Sequence, residues 1–505
     1  MASLARPGSI LQRTAHGAAW VIGWRLARRL IGVISTLILV RLLSPADFGL
    51  VALGYGFVSG LDVLCTVGVE QAIIRDDRPD RELYDCAFTI NLLRAIAMGA
   101  ALAACAGAIA GFLGDRRLDK IVLVFAAMTA LTGLTNIGVV DFRRYIAFDK
   151  EFVLQIVPQL LAFAVTILVA VIWRTYWALV CGIFLATVAG VAFGYWMHPF
   201  RPHLTLRGWR RLFHFSMWMW VLGLIATFRG QAPILILGRL AGPASVGILT
   251  LGSELANLAI TELVLPLSRA AFPGFASARR DKDDGAETLL RILAAMALVA
   301  VPVGIGTSLV AFPLVKLAFG SAWMPAVPLI EVLGVAGTLT LFGTISSGLF
   351  TAHAWMRPMA KINATTTIAC LVLLGILVPR FGVLGAAVAI AITDAINQAT
   401  YLAAALQQLN LQLTELLSRV WRCIFGTAAM TLVLVELGLG WTDFPETGSA
   451  LLFHLFGTVA LGAGIYVTVV GGAWLVSGRP DGGEADLVTL AGRIAGRLLS
   501  RQRLA

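Results

Sequence analysis

RLLSPADFGLVAL, from Arg41 to Leu53, returns in altered form as RLAGPASVGILTL, from Arg239 to Leu251. Arg, Leu, Pro, Ala, Gly and Leu keep their places at a constant offset of 198 residues (Arg41 to Arg239). Each copy joins one long apolar stretch to the next. A duplicated helix–turn–helix in a very apolar chain is a common construction of transporters, with the substrate site between the two halves. Turns between spans favour Pro and Gly in any case, so composition and charge have to carry the reading further.

They do. The chain of 505 residues is 59% hydrophobic and 13% charged, with a mean hydropathy of +0.86. That is about half the charge of an ordinary soluble protein. A soluble chain of this length would divide into several domains with polar surfaces between them, and no such polar surface is written here. Apolar runs recur along the full length, and many reach the roughly 20 residues that cross a bilayer as a helix.

The net charge of +11 invites a nucleic-acid partner, which its distribution refuses. Basic residues fall in short clusters between apolar runs, as the positive-inside bias places them. Cys65, Cys86, Cys105, Cys181, Cys370 and Cys423 show neither metal spacing nor a disulfide framework. Near the N-terminus, Arg25, Arg28 and Arg29 interrupt the first apolar run, which a cleaved secretory signal would keep unbroken. The expectation is a retained first span.

Length and charged breaks predict an all-α integral membrane protein of about fourteen transmembrane helices. The repeat takes span 1 onto span 7, an even number of crossings, so the two copies run in the same direction. Two pseudo-symmetric six-helix lobes follow, over 18–200 and 201–410, with two further helices in 411–476. The remaining segments are an N-terminus over 1–17 and a tail over 477–505. Turns Arg75–Glu82, Asp141–Lys150, Arg201–Arg211, Arg269–Lys282, Arg357–Lys361 and Arg419–Arg422 are richer in cations than the alternate turns. They and both termini are therefore expected in the cytoplasm. Asp115–Lys120, with three cations on the opposite side, is the counterexample. The tail segment LVTLAGRIAGRLLSRQRL reads as a basic amphipathic helix on the inner surface, or as a frayed end.

Four segments carry a family resemblance: ARRLIGVISTLILVRLLSPADFGLVAL (27–53), VEQAIIRDDRPDRELYDCAFTINLLR (69–94), DFRRYIAFDKEF (141–152) and LILGRLAGPASVGILTLGSELANLAITELVLPLSRAAFPGFA (235–276). The chain resembles the polysaccharide transporter branch of the multidrug/oligosaccharidyl-lipid/polysaccharide flippases, and is similar to Wzx-type oligosaccharide-lipid flippases. The resemblance implies a central cavity that opens alternately to either face. The implied cargo is a polyprenyl-diphosphate-linked oligosaccharide, crossing the bacterial inner membrane without a cofactor. Membrane lipids and the polysaccharide polymerase and chain-length proteins are the implied partners. Relatives often carry an acid shortly before the Gly-Arg of span 7. Here Gly230–Leu237 reads GQAPILIL, with no acid for ion coupling at that point.

Charges inside spans are the candidate site residues, because each costs about 2.5–3.5 kcal/mol at the bilayer centre on insertion scales. Arg25, Arg28 and Arg29 share one helical face through their i, i+3, i+4 spacing, either lining a cavity or snorkelling to the surface. Arg229 maps by the repeat to position 31, one turn past Arg28. The two lobes would then aim an Arg at similar depth, as a diphosphate clamp requires. An Arg229 paired within its own lobe is the alternative. Arg94 is a further candidate near a span end. The acids are Asp62, Glu254, Glu262, Glu331, Asp394 and Glu436, with Asn257 on the stripe of Glu254 and Glu262. Either Asp62, Glu254, Glu262 and Asp394 relay a coupling ion, or they neutralise the arginines.

Pro158, Pro233, Pro266, Pro302 and Pro313 are candidate hinges or ordinary membrane-helix prolines. Trp218 and Trp220 suit a sugar ring or an interfacial belt. His198, His203 and His214 show no metal geometry and are expected at the wet boundary of a basic loop. Three functions are compatible with these residues: an oligosaccharide-lipid flippase, another lipid-precursor or drug exporter of the same architecture, and a membrane enzyme of polysaccharide assembly. No nucleotide, metal or nucleophile signature supports the enzyme.

Overall fold

A backbone inside a bilayer must satisfy its own polar groups, and a long apolar run does so as a helix. The computed structural model describes residues 10–65, 70, 73–74, 76, 79–145, 147–207, 209, 217–280, 286–353, 355–442, 448–479 and 483–484, and every regular element among them is helical. The main helices are α1 (Ile10–Leu42), α2 (Pro45–Cys65), α3 (Arg81–Leu113), α4 (Arg117–Thr132), α5 (Phe148–Trp173), α6 (Trp177–Met197) and α7 (Met217–Arg280). After them come α8 (Ala286–Leu309), α9 (Val327–Gly337), α10 (Thr340–Ala352), α11 (Met356–Gln408), α12 (Leu413–Glu436) and α13 (Ser449–Val476). Eight described helices are long and apolar enough to cross a membrane, or ten if two bent pairs each count as one span. The double-length α7 and α11 each contain a non-helical glycine, Gly242 and Gly382. The expected number of fourteen follows if each of these crosses twice and α1 and α2 each cross once.

The breaks inside α7 and α11 sit at glycines rather than at prolines. Pro158 and Pro302 lie inside uninterrupted helices. Gly242 has φ 82, a left-handed value that costs an L side chain about 1–2 kcal/mol.

Contacts divide the chain into two units, Met1–Gly247 and Ile248–Ala505. In the first, α1 packs along α5. Leu39 and Leu43 bury against Ala170 and Ala178, and the Trp20 and Phe152 rings meet edge to face at 5.1 Å. α2 runs antiparallel beside residues 231–247 of α7: Gly56 faces Gln231, Leu53 faces Gly238, and Gly49 faces Pro243 and Gly247. A Cβ on Gly49 would overlap the Pro243 carbonyl, and a Cβ on Gly247 would overlap the Pro45 carbonyl. These four residues are equivalent pairs of the duplicated motif. A contact in which each partner does to the other what the other does to it is the mark of a two-fold relation.

In the second unit, Leu289, Leu293, Leu341, Phe350, Leu416 and Val420 form a core between α8, α10 and α12. The Tyr466 hydroxyl on α13 donates to the Leu298 carbonyl at 2.7 Å. Near the C-terminus, Glu484 reaches Arg422 at 2.6 Å, and both side chains are buried. A paired buried charge of this kind is costly to break from one side. The amphipathic reading of 487–504 lies outside the described residues.

Candidate functional site

α2, α3, α4, α6 and α7 enclose a cavity of about 700 Å³ in the first unit. One charged pair stands on its wall. Arg94 donates to Asp62 at 2.7 Å and to the Asn91 side-chain oxygen at 3.1 Å, with the Met98 sulfur 3.8 Å away. The two acidic and basic positions are 32 residues apart in sequence and meet because α2 and α3 share this wall. The guanidinium is thus committed to acceptors of its own unit.

The rest of the lining is hydroxyl-rich. Thr129, Thr132 and Thr187 donate their protons to carbonyls of their own helices at 2.9, 2.6 and 3.0 Å. A hydroxyl has one proton and two lone pairs, so these side chains meet the cavity as acceptors only. Tyr55 lies beside them, its ring edge-on to Phe125 at 6.3 Å and its side of the helix exposed. Thr227, Gly230 and Gln231 complete the wall from α7 at helical spacing. These lining residues were missed from the sequence. The i, i+3 threonines of α4 and the i, i+3, i+4 set of α7 were the signal that was there to be read.

The arginines of α1 obey a different rule. Leu26, Leu30, Ile34 and Leu37 make an exposed apolar stripe, as a helix face against lipid should. Arg25, Arg28 and Arg29 lie off that stripe. About three to five turns further along, the face they occupy carries Leu39, Val40 and Leu43 into the core. Arg25 and Arg28 are exposed on that inward face and Arg29 is half-buried. Arg25 lies 5.8 Å from the Trp24 ring. Neither Arg25 nor Arg28 has a carboxylate partner among the described residues.

Arg229 is half-buried on α7, off the wall made by Thr227 and Gln231. On the other unit's part of α7, Glu254 is exposed and Asn257 donates to the Ser253 carbonyl at 2.9 Å. The Glu262 side chain lies outside the described residues, as do His214 and the side chains of Trp218 and Pro266. Asp394 is half-buried on α11, beside a buried Thr366–Asn397 hydrogen bond of 3.0 Å. Trp220 is exposed, and His203 is exposed in an extended loop. His198 departs from its expected wet boundary: it is buried, with Asp141 3.4 Å from its Nε2. Among the described residues no three His, Cys, Asp or Glu side chains gather as metal ligands.

Residues 38–328 match the family model described as polysaccharide biosynthesis protein. The chain belongs to this family. It is 23% identical over 308 residues to the succinoglycan biosynthesis transport protein ExoT of Rhizobium meliloti (strain 1021), an alignment covering 60% of this chain and 62% of that one. It is 21% identical to the lipopolysaccharide biosynthesis protein WzxC of Escherichia coli (strain K12), covering 71% and 74%. The chain thus spans under two thirds of the first of these relatives. Among solved structures, lipid II flippase MurJ in an inward closed conformation aligns with a TM-score of 0.69 at 11% identity, covering 90% of this chain and 99% of that one. The chain thus shares the all-helical, multi-pass membrane fold of that neighbour.

Proposed function

We propose that this chain is a flippase that carries polyprenyl-diphosphate-linked oligosaccharides from the inner to the outer leaflet of the bacterial inner membrane by alternating access. The observation that carries this reading is the acceptor-lined cavity of the first unit. Sugar hydroxyls donate hydrogen bonds, so the oxygens of Thr129, Thr132 and Thr187 suit them, and the Tyr55 ring offers a flat apolar face. A diphosphate presents only acceptors and calls for a cation, and the cation on this wall, Arg94, is already paired with Asp62. The diphosphate is assigned instead to the Arg25–Arg28 face of α1, whose cations have no described carboxylate partner. Arg29 supports that face, and Arg229 is its counterpart through the repeat.

The Asp62–Arg94 pair is assigned to charge pairing, with ion coupling as the alternative role. Glu254, Glu262 and Asp394 stand in the same position for the second half. A drug exporter of the same fold would keep a free acid for its cationic cargo, and Asp62 is not free. The repeat supports lobes over 18–200 and 201–410, and the cation-rich turns support cytoplasmic termini. Part of the counterexample at 115–120 is neutralised locally. Arg117 grips Asp115 at 2.7 and 3.1 Å, and these hydrogen bonds hold the Asp115 carboxyl below the usual carboxylate range. Polysaccharide polymerase and chain-length proteins are the partners this role would require.

The test is the sidedness of the lipid-linked oligosaccharide in cells with and without the chain. Deletion should trap complete repeat units on the cytoplasmic leaflet while synthesis continues. Arg28→Ala should reproduce the block and Arg28→Lys should relieve part of it. Units that reach the outer leaflet normally in the deletion strain would rule the flippase role out. Asp62→Asn, read in the same assay at two external pH values, separates pairing from coupling: a coupling acid changes the pH response, a pairing acid only the rate.

A further inference from the structure

Described residues from three stretches of the first unit that the sequence marks as cation-rich, around Arg81, Asp141–Lys150 and Arg201, converge. They enclose a second cavity of about 510 Å³ whose lining includes Arg81, Tyr84, Phe142, Lys150 and Arg201. α3 and α5 begin at this cavity, and α6 ends there. It therefore lies at one end of the helices, where spans leave the bilayer, apart from the hydroxyl-lined cavity.

Its floor is closed chemically. The buried Asp141 receives the Tyr84 hydroxyl and faces the Nε2 of His198 at 3.4 Å. The other ring nitrogen of His198, Nδ1, accepts the Phe200 backbone N–H at 3.2 Å. A nitrogen that accepts holds no proton, so the ring proton is assigned to Nε2, pointing at Asp141. The carboxylate thus has two donors. Asn136 adds three bonds, to the carbonyls of Gly194, His198 and Phe200, and fixes the strap over 198–200.

The rim is different, because its cations are held but not cancelled. Arg201 donates to the carbonyls of His198 and Phe200 at 2.9 Å each and of Tyr195 at 3.1 Å, with no carboxylate partner among the described residues. Lys150 lies 5.7 Å from the Phe142 ring, likewise without a described carboxylate. It stands in the first turn of α5, where the helix dipole disfavours a cation. Arg81 is loosely paired with Asp85 at 3.6 Å. Uncancelled cations, aromatic walls and a position at the span ends match a phosphate on the glycerol side of a lipid. The volume suits a headgroup.

We propose that this pocket binds the phosphate-bearing headgroup of an anionic phospholipid, as a lipid site distinct from the transport cavity. The assignment does not depend on the flippase reading. The same phosphate chemistry could come from the diphosphate of a polyprenyl lipid, so the test uses both. The full chain, purified in neutral detergent, is titrated with phosphatidylglycerol, phosphatidylcholine or undecaprenyl diphosphate while its melting temperature is followed. This is repeated with Lys150→Gln and Lys150→Glu. Phosphatidylglycerol should stabilise the wild type and phosphatidylcholine should not. Apparent affinity for phosphatidylglycerol should fall about five-fold in Lys150→Gln, as loss of one cation near a phosphate implies, and further in Lys150→Glu. The response to undecaprenyl diphosphate should survive both changes. If that response alone is lost, the pocket belongs to the diphosphate lipid and the phospholipid assignment fails. Equal phosphatidylglycerol responses in wild type and Lys150→Gln would remove the site. Among the described residues the Lys150 ammonium makes only a ring contact, so Lys150→Gln keeps the fold needed for this comparison even where the charge reversal does not.

Discussion

At Ser44 the first copy of the duplicated motif turns with the help of a carboxylate. The Ser44 backbone N–H and hydroxyl both donate to Asp47, at 3.0 and 2.5 Å, and Asp47 also accepts the Tyr176 N–H at 3.0 Å. One side chain thus ends α1, starts α2 and ties both to the α5–α6 turn. The second copy turns at Gly242, the residue equivalent to Ser44, by adopting a left-handed φ. Ser245 replaces Asp47, and its hydroxyl donates back to Ala241 at 3.0 Å. The same corner is held by a cap in one copy and by backbone freedom in the other. Among the six positions that the copies share, Gly49 with Gly247 and the carbonyls of Pro45 and Pro243 approach one another.

Six substitutions break or sharpen this comparison. Gly49→Val meets backbone, which cannot swing aside as a side chain can, and should cost about 3 kcal/mol or more. Gly247→Val should cost about the same, measured as loss of folded, monodisperse protein on heating. A large effect at only one of the two glycines would end the two-fold reading. Next comes Asp47→Ala, which strips a carboxylate from two backbone donors and should destabilise by about 1.5–3 kcal/mol. Ser245→Ala, its counterpart, should fall within about 0.5 kcal/mol of wild type. Gly242→Ala should cost about 1–2 kcal/mol through its positive φ, and denaturant melts should resolve it. Ser44→Ala should cost about 1 kcal/mol for a lost cap. A Gly242→Ala effect smaller than that of Ser44→Ala would show that the second corner relaxes into a continuous helix.

Local features were legible in the sequence because they depend on short stretches of chain. The spans follow from apolar length, the cation-rich turns from composition, and the single face of Arg25, Arg28 and Arg29 from helical spacing. Asp62 and Arg94 were both visible as intramembrane charges, but their partnership was not, since it depends on how α2 and α3 lie together. The acceptor character of the cavity was hidden for another reason. Whether Thr129 spends its proton on Phe125 is a rotamer choice, invisible in residue type. His198 shows the same limit from the opposite direction: a histidine beside a basic loop reads as wet, yet packing placed it against Asp141.

By itself, then, the sequence determined that this chain lies in a membrane as helices, that one turn motif occurs twice, and which residues carry charge into apolar surroundings. These are properties of bilayer thickness and helical period, and both act over a few tens of residues. Only the tertiary structure decided which charges cancel and which stay available, and that the copies meet through Gly49 and Gly247. It alone decided that three cation-rich loops close into one pocket. Each of those outcomes depends on groups far apart in the chain meeting within a few ångströms, and no local pattern encodes that distance.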